Sequence, residues 1–266
     1  MKLFISADIE GTAGILSFNE AEKTHADYAE FRALMTQEVI AACEGACAAG
    51  ATEILIRDAH DTASNLLLEQ LPAVARIVRG WSGHPDAMMF GLDASFAGAI
   101  YTGYHAKAGS EANPLAHSFN LRISRLLLNG VPVSEFTINA LCAARYGVPS
   151  LFLAGDCEIC ADATALIPTI TTVETLYGAG RAALSLSPAA CREQIRSSVG
   201  MAVRGRSAAV IPEIPGHLEL VIEFNNPCDA YRAAWYPKAV AHGPRAVCFE
   251  DTDLFEIMRA LRFMTS

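Results

Sequence analysis

The segment Lys2-Leu3-Phe4-Ile5-Ser6-Ala7-Asp8-Ile9-Glu10, taken with Glu53-Ile54-Leu55-Ile56-Arg57-Asp58-Ala59-His60, decides the fold. Residues 2–7 and 53–57 are short apolar or β-branched runs that end in acidic residues. The segment between them, 27–49, has helix-forming composition and stops at Gly50. Two strands joined by a helix form a βαβ unit, which predicts neighbouring parallel strands whose carboxyl ends share one edge. Working outward, Arg76–Val78, Ala99–Gly103, Ile123–Leu128 and Ser150–Leu153 read as further strands, and 135–146 and 157–166 as helices. This alternation predicts an α/β fold with a Rossmann-like, mostly parallel sheet covered by helices. Beyond Pro168 come a strand over Thr169–Val173, a helix near 189–203, strands at Glu219–Phe224 and Ala246–Glu250, and a closing helix over 252–264. These predict a smaller C-terminal α+β domain, so the expected division is 1–166 and 167–266.

The chain has 266 residues, 52% hydrophobic and 18% charged, which is ample apolar surface for a packed core. A net charge of −9 and a pI near 5.3 argue against nucleic acid as a partner, because that binding relies on Lys and Arg neutralising phosphates. No apolar run approaches the roughly 20 residues of a membrane helix, so no membrane partner is expected. The N-terminus meets acidic residues too early for a signal peptide, which points to the cytoplasm. Eight scattered cysteines read mostly as buried thiols. Cys157-Glu158-Ile159-Cys160 is a lone Cys-x-x-Cys without the second pair of a structural zinc site. Gly11-x-x-Gly14 lacks the dinucleotide pattern, and there is no Walker sequence, so a nucleotide enzyme is disfavoured.

The chemistry gathers at the strand exits. Asp8 and Glu10, and Asp58 and His60, each stand two apart, a spacing that puts both side chains on one face of a strand. If the two strands are neighbours, four potential metal ligands converge. Carboxylate and imidazole suit zinc, and a carboxylate can bridge two ions. Acidic strand ends are also common as caps or solvated groups. A third exit, Gly103-Tyr104-His105, delivers another imidazole; His117 lies in a polar loop, and Glu135 opens a helix with Asn139 one turn later. Asp58 is placed to accept the second ring nitrogen of His60, and Asn139 to donate either to a substrate or to a structural partner.

Asp8-Ile9-Glu10-Gly11, Arg57-Asp58-Ala59-His60, Gly103-Tyr104-His105-Ala106, Ala116-His117-Ser118, Val133-Ser134-Glu135 and Ala154-Gly155-Asp156 together resemble the zinc-dependent D-aminopeptidase family, in order and along almost the whole chain. By that resemblance Asp8, Glu10, His60, His105 and Glu135 bind two zinc ions per subunit, and His117 is the catalytic histidine, as proton shuttle or nucleophile. Cys157 stands where the family has an acidic residue, and the loop between His105 and His117 is one residue longer than the family's. The resemblance implies a binuclear zinc aminopeptidase for short D-amino-acid peptides of the D-Ala-D-Ala type. It also implies a homo-oligomer, a ring-like homodecamer; Trp81, Tyr231, Trp235 and Tyr236 are equally suited to interfaces or core. The competing expectations are an L-aminopeptidase or amidase with the same metal chemistry, and a metal-dependent peptide-binding protein without turnover.

Overall fold

The computed structural model describes residues Met1–Ser266. Strand β1 (Lys2–Ala7) is the hub of the first sheet. It pairs in parallel with β2 (Glu53–Asp58) on one side and β4 (Ala99–Tyr104) on the other. With β3 (Ala75–Val78), β7 (Ser150–Gly155) and β8 (Thr171–Glu174), the order is β3-β2-β1-β4-β7-β8, parallel throughout. Sheets covered on both faces need strands that are apolar on both faces. β1 supplies this: Leu3, Ile5 and Ala7 enter one core while Phe4 enters the other, all fully buried. The winding direction reverses between β1 and β4, and ligand sites of open α/β sheets lie at such a switch point, off the strands' carboxyl ends.

One face is covered by α2 (Tyr28–Ala48) and α5 (Pro188–Arg204). They cross closely at Gly45, where a Cβ would lie 2.2 Å from the Arg196 carbonyl oxygen. The opposite face meets α3 (Glu135–Arg145), α4 (Cys157–Leu166) and α7 (Leu254–Met264). A second, antiparallel sheet completes that core in the order β12-β13-β11-β5-β6: β5 (Ile123–Leu128), β6 (Val131–Pro132), β11 (Leu218–Phe224), β12 (Val240–Ala241) and β13 (Ala246–Asp251). α6 (Pro227–Ala233) packs on it, α1 (Phe18–Ala21) is a single turn near the site, and β9 (Leu176–Ala179) and β10 (Ala182–Ser185) form a small hairpin about Gly180. No helix is long and apolar enough to cross a membrane.

The α/β class and the βαβ unit stand as expected, but a cut at residue 166 does not separate the two sheets. β5 and β6, before the cut, belong to the antiparallel sheet, whereas β8 and α5, after it, pack on the parallel one. The chain leaves the first sheet after β4, builds part of the second, returns for β7 and β8, and leaves again. A linear reading of strand periodicity carries no information about such pairing between segments far apart in sequence.

Candidate metal centre

Three strand exits and one helix start supply the site. β1 ends at Ala7, so Asp8 and Glu10 sit in the following turn and not on a strand face; the turn is closed by Thr12 N–H to the Ile9 carbonyl and by Gly11 N–H to the Gly103 carbonyl. Gly11 is required there: a Cβ would stand 1.8 Å from the Tyr104 carbonyl oxygen. His60 follows β2, with Ala59 N–H bonded to the Ala7 carbonyl at 2.8 Å, and His105 follows β4 directly. Glu135 is the first residue of α3, whose N-terminus is capped by Ser134 Oγ accepting from Thr137 N–H.

All six predicted residues converge. Asp8, Glu10, His60, His105 and Glu135 are buried, and His117 is partly so. The two oxygens of Asp8 face different histidines: Oδ1 is 3.3 Å from His60 Nδ1, and Oδ2 is 3.7 Å from His105 Nε2. Glu10 closes the first nest, with Oε2 3.1 Å from His60 Nδ1, and Glu135 closes the second, with Oε1 3.5 Å from His105 Nε2. His117 Nε2 lies 4.0 Å from Glu10 Oε1 and 3.9 Å from Glu135 Oε1, and its ring stacks on His105 at 4.3 Å and 11°.

Each imidazole is anchored through its other nitrogen to a backbone carbonyl, which can only accept. His60 Nε2–H donates to Ala21 at 2.9 Å, His105 Nδ1–H to Ala106 at 3.0 Å, and His117 Nδ1–H to Leu115 at 2.9 Å. In the neutral rings the remaining nitrogens therefore turn lone pairs toward carboxylate oxygens. Acceptors facing acceptors need a cation between them. Glu10 Oε2 and His105 Nε2 are buried without a hydrogen-bond partner, as the donor set of a metal would be. Three triads could hold an ion: Asp8, Glu10 and His60; Asp8, His105 and Glu135; and Glu10, His105 and His117.

The same crowding of carboxylates also draws protons to the cluster. Burial, reinforced by Glu10, pushes Asp8 up to about 8. Burial acts to lower His60 and His105 but is outweighed by Glu10 and Glu135 respectively, which hold both well above the usual histidine range. Burial and the neighbouring His105 keep His117 below that range, so its Nε2 is a free acceptor at neutral pH.

Two expectations change. Asp58 does not touch the His60 ring; its carboxylate accepts from Asn65 N–H, Asn65 Nδ2 and Leu66 N–H, and Asn65 Nδ2 also donates to the His60 carbonyl. Asp58 thus positions the loop and not the imidazole. Asn139 lines the cavity, but its Nδ2 donates to Tyr104 Oη at 3.0 Å, the structural alternative. The sequence reading missed Asn113 and the task of Asp156. Asp156 Oδ2 accepts from Ala106 N–H at 2.6 Å and from Asn113 Nδ2 at 3.0 Å, and Asn113 Nδ2 also donates to the Glu10 carbonyl at 2.9 Å. Together they tie the loop that carries His105 and His117 to the turn that carries Glu10. The strand-end Ala154-Gly155-Asp156 was the available signal. All eight cysteines are free, and Cys160 is buried with Sγ toward the Gly155 and Val173 carbonyls.

The cluster opens into a cavity of about 370 Å³ with an apolar wall that includes Phe18, Met88, Phe119, Ile138, Met258 and Leu261. That size and lining suit a small organic ligand. Residues 1–263 match the family model for D-aminopeptidase, a peptidase family. The chain belongs to the D-aminopeptidase family. It is 32% identical to the D-aminopeptidase of Bacillus subtilis (strain 168) over 267 residues, covering 100% of this chain and 97% of the relative. A solved structure, the Zn-dependent D-aminopeptidase DppA from Bacillus subtilis, described as a self-compartmentalizing protease, superposes with a TM-score of 0.94 at 32% identity, over 100% of this chain and 97% of that one. A D-aminopeptidase family member is a peptide hydrolase, and the convergent acceptors of the exit loops lie where an open α/β sheet places its chemistry.

Proposed function

We propose that this chain is a binuclear zinc aminopeptidase that removes the N-terminal residue of short D-amino-acid peptides of the D-Ala-D-Ala type. Asp8, Glu10, His60, His105 and Glu135 would hold two zinc ions per subunit, with Asp8 shared between them, and His117 is the catalytic histidine. One observation carries this reading: the two Asp8 oxygens diverge into two separate nests, each with its own imidazole and its own second carboxylate. Family membership and the zinc dependence of the solved DppA structure support it. When bound, zinc supplies Lewis acidity, making hydroxide available near neutral pH and polarising the scissile carbonyl.

The chain's own groups supply the rest. His117 Nδ1–H is fixed on the Leu115 carbonyl, so Nε2 takes the proton released as water adds to the peptide carbonyl and passes it to the departing amine. The depressed basicity of His117 keeps Nε2 unprotonated and ready for that transfer. Burial of the cluster excludes bulk water and strengthens every electrostatic contact within it. The apolar wall of Met88, Ile138, Met258 and Leu261 accommodates small side chains. In this reading the protein works in the cytoplasm as a ring-like homodecamer. Tyr231 and Trp235, edge to face and 69% and 74% exposed, offer apolar surface for such contacts.

The test is amino-acid release by zinc-loaded protein from D-Ala-D-Ala and from L-Ala-L-Ala, with a chelated control. Chelator-sensitive release from the D substrate alone is expected. Release from the L substrate alone overturns the stereochemical assignment, and release from neither overturns the activity.

A further inference from the structure

The cavity lining carries one fixed cation. Six acidic side chains line it, Asp8, Glu10, Glu22, Asp61, Asp86 and Glu135, yet among Lys and Arg only Arg262 does so. Arg262 lies in the last turn of α7, where an arginine ordinarily serves the helix C-terminus from solvent. Here its guanidinium lies over the Trp81 ring, 5.7 Å from the centroid, and no carboxylate is within ion-pair distance. A second guanidinium backs the same ring: Arg57 stands 4.4 Å from the Trp81 centroid. Arg57 is fully buried; Nη1 donates to the Gly80 carbonyl at 2.6 Å, while Nε and Nη2 have no partner, and it too forms no ion pair. Burial, with Arg262 acting in the same direction, brings Arg57 down to about 10, which leaves it charged at neutral pH. Two guanidiniums thus flank one indole, one fully buried and one in the cavity wall, and neither has a carboxylate within ion-pair distance, an arrangement suited to a planar anion.

Resting on the aminopeptidase reading above, we propose that the Trp81–Arg262 end, backed by Arg57, is an anion subsite for the α-carboxylate of the peptide substrate. The metal cluster and this subsite then grip opposite ends of one short chain. The amine end lies among the carboxylates and imidazoles, and the carboxylate end lies against Arg262. A free C-terminus is thereby favoured, and substrate length is limited by the span of the cavity. The same placement disfavours peptides that bring an amide or a neutral ester to Arg262, because they leave it unpaired.

The test compares kcat and KM of the zinc-loaded protein for D-Ala-D-Ala and for its C-terminal amide. The free acid should be preferred by about tenfold or more, chiefly through KM, in line with a charge-assisted hydrogen bond. Arg262→Gln should bring the acid-to-amide ratio toward one, and Arg262→Lys should restore part of it. Equal kcat/KM for acid and amide, or an equal loss for both in Arg262→Gln, refutes the subsite while leaving the aminopeptidase reading intact. Release from neither substrate refutes the aminopeptidase reading, and the subsite is then decided by binding. Trp235→Phe leaves Trp81 as the only tryptophan. N-acetyl-D-alanine should change its emission, N-acetyl-D-alaninamide should not, and the change should vanish with Arg262→Gln. The same response to acid and amide overturns the assignment.

Discussion

Replacing Glu38 with glutamine should stabilise the protein above neutral pH and leave it nearly unchanged near pH 5. Glu38 lies on α2 behind the metal-site turn; Oε1 accepts from Ala13 N–H at 2.9 Å and from Cys191 Sγ at 3.5 Å, while Oε2 is buried with no partner. Burial, opposed by those two bonds, raises the carboxyl from its ordinary 4.5 to about 7. The native state therefore binds a proton that the unfolded chain has released, so stability is full below about 4.5 and falls as the pH rises through about 7. At about 1.4 kcal/mol for each pH unit between those values, the loss is about 3 kcal/mol. Glutamine keeps an amide oxygen for Ala13 N–H and carries no charge, so it is spared that loss. Urea unfolding of both proteins at pH 5 and pH 8, under the same zinc loading, reads the difference. Nearly equal stability at pH 5 and an advantage of about 3 kcal/mol for Glu38→Gln at pH 8 is expected. Parallel pH dependence of the two proteins would refute a neutral buried Glu38.

Three further predictions concern the site. If Asp8 serves both nests, Asp8→Ala should lose both zinc ions on dialysis while His60→Ala keeps about one of them. Elemental analysis decides, and equal losses in the two variants would sink the shared-carboxylate assignment. Gly11→Ala drives a Cβ to within 1.8 Å of the Tyr104 carbonyl and should cost about 1–3 kcal/mol in chemical unfolding, because backbone must move. Stability equal to the parent would show that the turn has slack. Asn113→Ala removes the link between Asp156 and the Glu10 carbonyl, and should lower kcat for D-Ala-D-Ala more than it lowers zinc content. A proportional loss of both would place Asn113 in metal retention instead.

How much of this was legible depended on the range of the interaction. β1 could be read because parallel strands are apolar on both faces, and Leu3 through Ala7 carry that signature within six residues. Asp8, Glu10, His60 and His105 could be suspected from position, since exits of neighbouring parallel strands must meet at one edge. Glu135 gave no local signal: an acidic first helical residue is ordinary N-terminal chemistry, and only the resemblance across the whole chain singled it out. Asp58 was misjudged because a spacing of two holds only inside a strand. β2 ends at Asp58, and the chain turns before His60. Glu38 and Arg57 were not flagged, because nothing in a helix or a strand read alone says that a charged side chain will be enclosed by other segments, Ala13 and Cys191 around Glu38, Gly80 and Trp81 around Arg57.

The passage of the chain between the two sheets on both sides of residue 166 and the completeness of the site have one cause. Had residues 1–166 closed as a separate parallel-sheet unit, the segment after β4 would have crossed directly to β7. Instead it passes the exits of β1 and β2, leaving His117 beside Glu10, and then builds β5 and β6 in the antiparallel sheet. It returns through α3, whose first residue, Glu135, faces His105. The last element repeats the device: α7 packs with β13 and β11 of the second sheet yet contributes Met258, Leu261 and Arg262 to the cavity wall. The parallel sheet alone would present Asp8, Glu10, His60 and His105 on an open edge, where solvent weakens their fields. The antiparallel sheet converts that edge into an enclosed cavity and, with the segments that lead into and out of it, adds Glu135, the loop of His117 and the only Lys or Arg in the lining. An insertion that displaced β5 or β6 would therefore reach the chemistry through Glu135 and His117, although neither strand contributes a residue to the cluster.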